Sequence, residues 1–241
     1  MRRIDLIKSI LVVLLIPIVL NCSLQKKQRN KLESGEAIVK HLDSLFGVLS
    51  NTNSNTKDFQ ETIVSVNENI RQAIEHNITS PRIVSEINSY YSKGKHDFSF
   101  AQSADKGFTV FSWNTRKLDY PIKSIGFYVS ENRTIPTSLF GKPLRYDQIE
   151  IIENRSGIHT YILGGLANPS NHPNQYQLSA YRVLKDGIEE AKVFPSGESA
   201  VMVRCSEKDS TTCLGNVPAK SLYKAIAQES LAYTNGEYVL N

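Results

Sequence analysis

The sequence predicts an α+β fold: an N-terminal helical region of two to three helices, followed by a mostly antiparallel β-meander or sandwich. Two patterns predict it. Between Ser34 and Tyr91 apolar residues recur at three- and four-residue steps, whereas beyond Lys95 they alternate at steps of two. The strand-like runs are also short and separated by Asn, Gly, Pro and Ser, which is the punctuation of antiparallel connections.

The helical elements come first. Ile38, Leu42, Leu45 and Leu49 form one apolar stripe. NTNSNTKD breaks it, and Phe59, Ile63, Val66, Ile70 and Ala73 start a second stripe. Ser80-Pro81 then combines an N-cap residue with proline at the first helical position, leading into Val84, Ile87 and Tyr91. These runs are too short to read as a coiled coil, so packing within the chain is the expectation.

The strand elements follow. FSFAQ and FTVFSW flank SADKG as a hairpin. IKSIGFYV, YDQIEII, IHTYILGG, QYQLSAYRVL, IEEAKVF and AVMVRC are further strand candidates. Asn235-Gly236 predicts a tight hairpin between LAY and YVL, because both residues tolerate positive φ. Ala219–Gln228 reads equally as a short helix or a strand. The sequence shows no repeat strong enough for a propeller.

The N-terminus carries an address. Arg2, Arg3 and Lys8 precede an apolar run from Ile10 to Leu20 that ends at Asn21-Cys22. At about 1.5 Å per residue the run covers less than roughly 20 Å of a hydrocarbon core about 30 Å thick. Pro17 removes an amide donor from any helix there. The pattern is that of a secretory signal peptide rather than a transmembrane anchor. Val19-Leu20-Asn21-Cys22 resembles the lipobox of bacterial lipoproteins, with Asn21 where Gly, Ala or Ser is usual. The resemblance implies acylation (palmitate and related chains) at Cys22, which would become the mature N-terminus and supply a membrane anchor. DKGFTVFSWNT and the closing YTNGEY resemble uncharacterised exported proteins of Gram-negative bacteria, a resemblance that implies no activity. The expected organisation is a signal peptide over 1–21, a basic polar tether over 22–34, a helical region over 35–93 and an antiparallel β domain over 94–241.

Charge and cysteine usage fit that address. The formal charge of +4 is concentrated at the start: 22–34 holds Lys26, Lys27, Arg29 and Lys31 against Glu33. The remaining body is near neutral, which argues against nucleic acid as a partner. Three cysteines are an odd count for an exported chain. With Cys22 lipidated, Cys205 and Cys213 remain and are expected to form a disulfide across SEKDSTT. Closing so short a loop would contribute about 2–3 kcal/mol in the chain-entropy model.

No catalytic motif stands out. There is no phosphate-cradling glycine loop, dinucleotide fingerprint or Gly-x-Ser-x-Gly elbow. Ser-x-x-Lys occurs at Ser54, Ser92, Ser103 and Ser221 without companion motifs, and each reads as a pair of polar side chains on the surface. His41, His76, His96, His159 and His172 include no pair at helical metal-binding spacing. His96 and Asp97 are adjacent, but neighbours on a strand point to opposite faces. Solvation or a structural hydrogen bond is the expectation for all five. Glu189-Glu190 reads as strand-edge charge. Phe108, Phe111, Trp113, Phe127, Tyr128, Tyr161, Tyr176 and Tyr181 read first as core. A ligand-binding stripe of exposed tyrosine or tryptophan is the alternative.

The expected protein is therefore a lipoprotein of the bacterial cell envelope, at the outer membrane, with a non-catalytic binding or structural role. No metal or cofactor is expected; partners are the membrane and envelope proteins or glycans. Two alternatives stand beside it. One is an exported hydrolase whose site assembles from distant residues, for which a pocket joining His159 or His172 to a carboxylate and a hydroxyl would be the sign. The other is a signal-anchored protein without lipid.

Overall fold

The computed structural model describes residues 32–153, 158–166, 175–195, 197–205 and 217–240, which lie in one compact unit. The signal-peptide and lipobox reading therefore falls outside the described residues. The helical region forms as its periodicity predicts, as α1 (Gly35–Asn51), α2 (Phe59–Asn77) and α3 (Pro81–Tyr91). Ser34 Oγ caps α1 by accepting from Ala37 N at 3.2 Å. Ser80 caps α3 with Pro81 in its first turn. Ile38, Leu42 and Leu49 of α1 and Ile63 and Ile70 of α2 are buried along their predicted stripes.

Two sheets follow. The first runs in chain order: β1 (Phe98–Gln102), β2 (Phe108–Asn114), β3 (Ile122–Ser130) and β4 (Arg133–Thr137), all antiparallel. The second contains β5 (Arg145–Glu153), β6 (His159–Leu166), β7 (Gln175–Leu184), β8 (Gly187–Glu190) and β9 (Ala200–Cys205). After β9 come α4 (Ala219–Ala227), β10 (Ala232–Thr234) and β11 (Glu237–Leu240). The order across this sheet is β10-β11-β9-β7-β6-β5, with β8 also paired to β7. Four helices and eleven strands among the described residues make an α+β chain with helices first.

Three apolar clusters set the layers. Ile38, Phe46 and Ile70 pack with Phe98, Phe100, Phe111, Trp113 and Phe127, so the three helices cover one face of the first sheet. Phe46 stacks on Phe98 at 5.3 Å and meets Trp113 edge-on at 6.3 Å. The opposite face of that sheet, with Phe108, Val110 and Tyr128, packs on Tyr146, Tyr161, Leu163 and Tyr181 of the second sheet. The outer face of the second sheet, with Ile162, Tyr176, Leu178 and Val203, packs on Leu222 and Ile226 of α4. The order is helices, sheet, sheet, helix. Each sheet is therefore buried on both faces, and six successive residues of β2 and of β6 are buried.

Four local details depend on tertiary packing rather than on local sequence. Ala219–Gln228 resolves to a helix over Ala219–Ala227, because Ala219, Leu222 and Ile226 fall on one buried face. β4 forms despite Pro136, which an edge strand tolerates for want of a required amide donor. The strand expected over IEEAKVF ends at Glu190; Ala191 and Phe194 then turn into the α4 core. One strand pair among the described residues is parallel: β11 joins β9 in the same direction, since β10 runs opposite to β9 and the Asn235-Gly236 hairpin then reverses the chain again. The Asn235-Gly236 hairpin forms as read, with φ of 54° and 85° and Thr234 opposite Glu237. Among the described residues no helix is long and apolar enough to cross a membrane.

Candidate functional site

A polar cluster joins the two sheets at the β1–β2 hairpin. Its loop, Ser103 to Gly107, turns through Lys106 in the left-handed region (φ 62°). Asp105 Oδ1 accepts from Gly107 N at 2.9 Å, an Asx-turn, and from Ser103 Oγ at 2.6 Å. The Ser103 hydroxyl is engaged by that bond, by Phe108 O at 3.1 Å and by Phe108 N, which donates to it at 2.9 Å. Gly107 is required for closeness: a Cβ there would stand 2.5 Å from Tyr161 Oη.

The other Asp105 oxygen faces the second sheet. Oδ2 accepts from Tyr161 Oη at 2.8 Å and meets His159 Nδ1 at 3.0 Å. His159 and Tyr161 stand two apart on β6, so both project to the same side. Glu153, opposite His159 in the β5–β6 register, places Oε1 3.0 Å from Nε2. His159 thus bridges two carboxylates, one from each sheet.

The electrostatics follow from this geometry. Burial alone would raise the Asp105 carboxyl, but donors from Ser103, Gly107, Tyr161 and His159 hold it below its ordinary value. The hydrogen bond to Asp105 raises His159 above the ordinary imidazole value; desolvation opposes it, and the Asp105 charge and the Glu153 contact add to the rise. Burial, then the bond to Asp105, raises the Tyr161 hydroxyl. Both ring nitrogens stand 3.0 Å from carboxylate oxygens, so the ring is held in position and its nitrogens are engaged by carboxylates rather than by a hydroxyl.

The carboxylates sit on opposite edges of the ring, so the three side chains do not converge on one point. Among the described residues no group of three His, Cys, Asp or Glu side chains could hold a metal ion.

The remaining candidate residues are scattered. His41 and His76 are exposed on α1 and α2. His96 does not pair with Asp97: its Nδ1 meets Asp43 Oδ1 at 2.8 Å, and its ring stacks on Tyr91 at 4.8 Å. Asp97 instead accepts from Ser50 Oγ at 3.3 Å. The aromatic residues read as core are all buried, including Trp113 at 1% exposure and Tyr176 at 0%. Glu189 lies 3.8 Å from Arg182 on neighbouring strands. Cys22, Cys213 and His172 lie outside the described residues; of Cys205 only its backbone place at the end of β9 is described.

Sequence reasoning did not single out Asp105. The signal was present in Ser103-x-Asp105-x-Gly107, an Asx-turn pattern, but its partner lies 54 residues away. Comparison with known protein families, with curated proteins and with solved structures found no match.

Proposed function

We propose that this protein is a lipid-tethered component of the bacterial cell envelope whose folded body acts by binding rather than by catalysis. The observation that carries the reading is the short apolar run from Ile10 to Leu20, ended by Cys22 and followed by a basic polar stretch. A body that begins at Leu32 and buries both faces of both sheets supports it, because such a body needs only a leash to stay at a membrane. Intact mass of the membrane-extracted protein is the test. A chain starting at Cys22 and carrying two or three acyl groups is the expected result. An unmodified chain starting elsewhere, or one keeping its first residues as a signal anchor, overturns it.

A hydrolytic role is the second reading, because His159 does meet a carboxylate near two hydroxyls. The geometry favours it less. Both hydroxyls bond the carboxylate rather than the imidazole, and both ring nitrogens are engaged. Hydrolysis of ester or glycoside reporters that vanished in His159→Gln would restore this reading.

A further inference from the structure

The outer face of the second sheet is not fully covered by α4. Beside the first two turns of the helix, the sheet, α4 and the β1–β2 hairpin line a groove of about 830 Å³. That size is within the roughly 300–1,000 Å³ of small-molecule sites. Its apolar surface comes from Ile152 of β5, Val193 and Tyr223 of α4, the last packed edge-on against Phe194 at 5.9 Å.

The charges around it are asymmetric. Asp105 and Glu153 line one side, but both carboxylates are engaged by His159. Arg182 lies on the floor, and Lys220 and Lys224, one helical turn apart, line the α4 side. Neither lysine has an ion-pair partner among the described residues. Arg182 is held loosely, 3.8 Å from Glu189 and 3.5 Å from Thr160 Oγ1. Arg182, Lys220 and Lys224 outnumber the two carboxylates, which also share His159, so the groove carries a cationic excess on its α4 side.

We infer that this groove binds a small organic anion with an apolar body, its phosphate or carboxylate held by Arg182, Lys220 and Lys224 and its body laid on Ile152, Val193 and Tyr223. Arg182 offers a planar fork for a two-oxygen group, and the lysines supply point charge beside it. The site deepens the binding role proposed above but is independent of the lipid tether, which intact mass decides on its own.

Ligand-observed NMR of the purified full chain tests the site with three probes: phenyl phosphate, 3-phenylpropionate and the neutral 3-phenylpropan-1-ol. At least one anion is expected to bind saturably, roughly tenfold or more tighter than the alcohol, as loss of a charge-assisted pair implies. The tighter anion identifies the headgroup as phosphate or carboxylate. The Lys220→Gln/Lys224→Gln variant, and separately Arg182→Gln, should each weaken binding by about tenfold. Lys40→Gln on α1 should leave it unchanged. The site is overturned if the alcohol binds as well as the anions, or if neither anion binds up to about 10 mM. It is also overturned if the groove variants, melting like the wild type, keep full affinity.

Discussion

Trp113 donates its indole N–H to Asn67 Oδ1 at 2.9 Å, joining the first sheet to α2 through two buried side chains. Asn67 Nδ2 in turn donates to Ile63 O at 2.8 Å and Thr115 O at 2.9 Å, so the amide is satisfied at both ends. Asn67→Leu strands the indole N–H and the Thr115 carbonyl in a dry layer. We expect a loss of about 2–3 kcal/mol in urea unfolding. Adding Trp113→Phe removes the orphaned donor, so the double variant should lose less than the sum of the singles. Simple additivity would show that the bond does not couple the layers.

Arg116 closes the C-terminal end of α1. Its Nη1 donates to Leu49 O at 2.5 Å, Ser50 O at 3.0 Å and Thr52 O at 2.8 Å, and its guanidinium lies 5.3 Å over the Phe59 ring. These are carbonyls a helix end leaves without partners, at its negative pole. Arg116→Gln should lower stability by about 1–2 kcal/mol. Its effect should concentrate in amide exchange of the last turn of α1; uniform exchange across the body would argue against a capping role.

Two glycines in α1 should respond oppositely to alanine. At Gly35 a Cβ would stand 2.5 Å from the Glu86 carbonyl carbon, part of the α3 backbone, while Gly35 N donates to Glu86 Oε2 at 2.9 Å. At Gly47 nothing lies within 4 Å of an added Cβ. Gly47→Ala should stabilise by about 0.5–1 kcal/mol through helix propensity, whereas Gly35→Ala should destabilise by about 1–2 kcal/mol through overpacking. Thermal melts of the pair check this, and a stabilised Gly35→Ala would show that α1 and α3 can separate freely.

The His159–Asp105 joint predicts a pH optimum. His159 is raised in the folded state, so its contribution is complete below its unfolded value of 6.5 and is lost as pH rises through the folded one. Asp105 is depressed, so its contribution is complete above its unfolded value of 3.8 and is lost as pH falls through the folded one. Both are present between about pH 4 and 6.5. Melting temperature should be highest there, and His159→Gln should flatten the alkaline decline. An unchanged decline in that variant would remove the joint from the fold's stability.

Legibility divides by the range of the interaction that decides each feature. Ile38-Leu42-Leu49 and Ile63-Ile70 are repeats within single helices, and Ser34, Ser80 and Asn235-Gly236 act on backbone only a few residues away. Such signals survive in one dimension. β4 was obscured because Pro136 is acceptable only where no neighbouring strand needs its amide, and being an edge is a property of the sheet. His159 carried no local mark, since its carboxylates come from a hairpin tip and a neighbouring strand end.

By itself, then, the sequence determined that a helical region precedes the strands, the caps at Ser34 and Ser80, the Asn235-Gly236 turn, and the apolar run that ends at Cys22. Tertiary structure alone decided that both sheets are buried on both faces, that Asp105 spans them to reach His159, and that α4 leaves a cationic groove uncovered. The physical reason is distance along the chain: periodicity and turn chemistry act over a few residues, whereas layer stacking and shared charge depend on which segments meet after the chain has closed on itself.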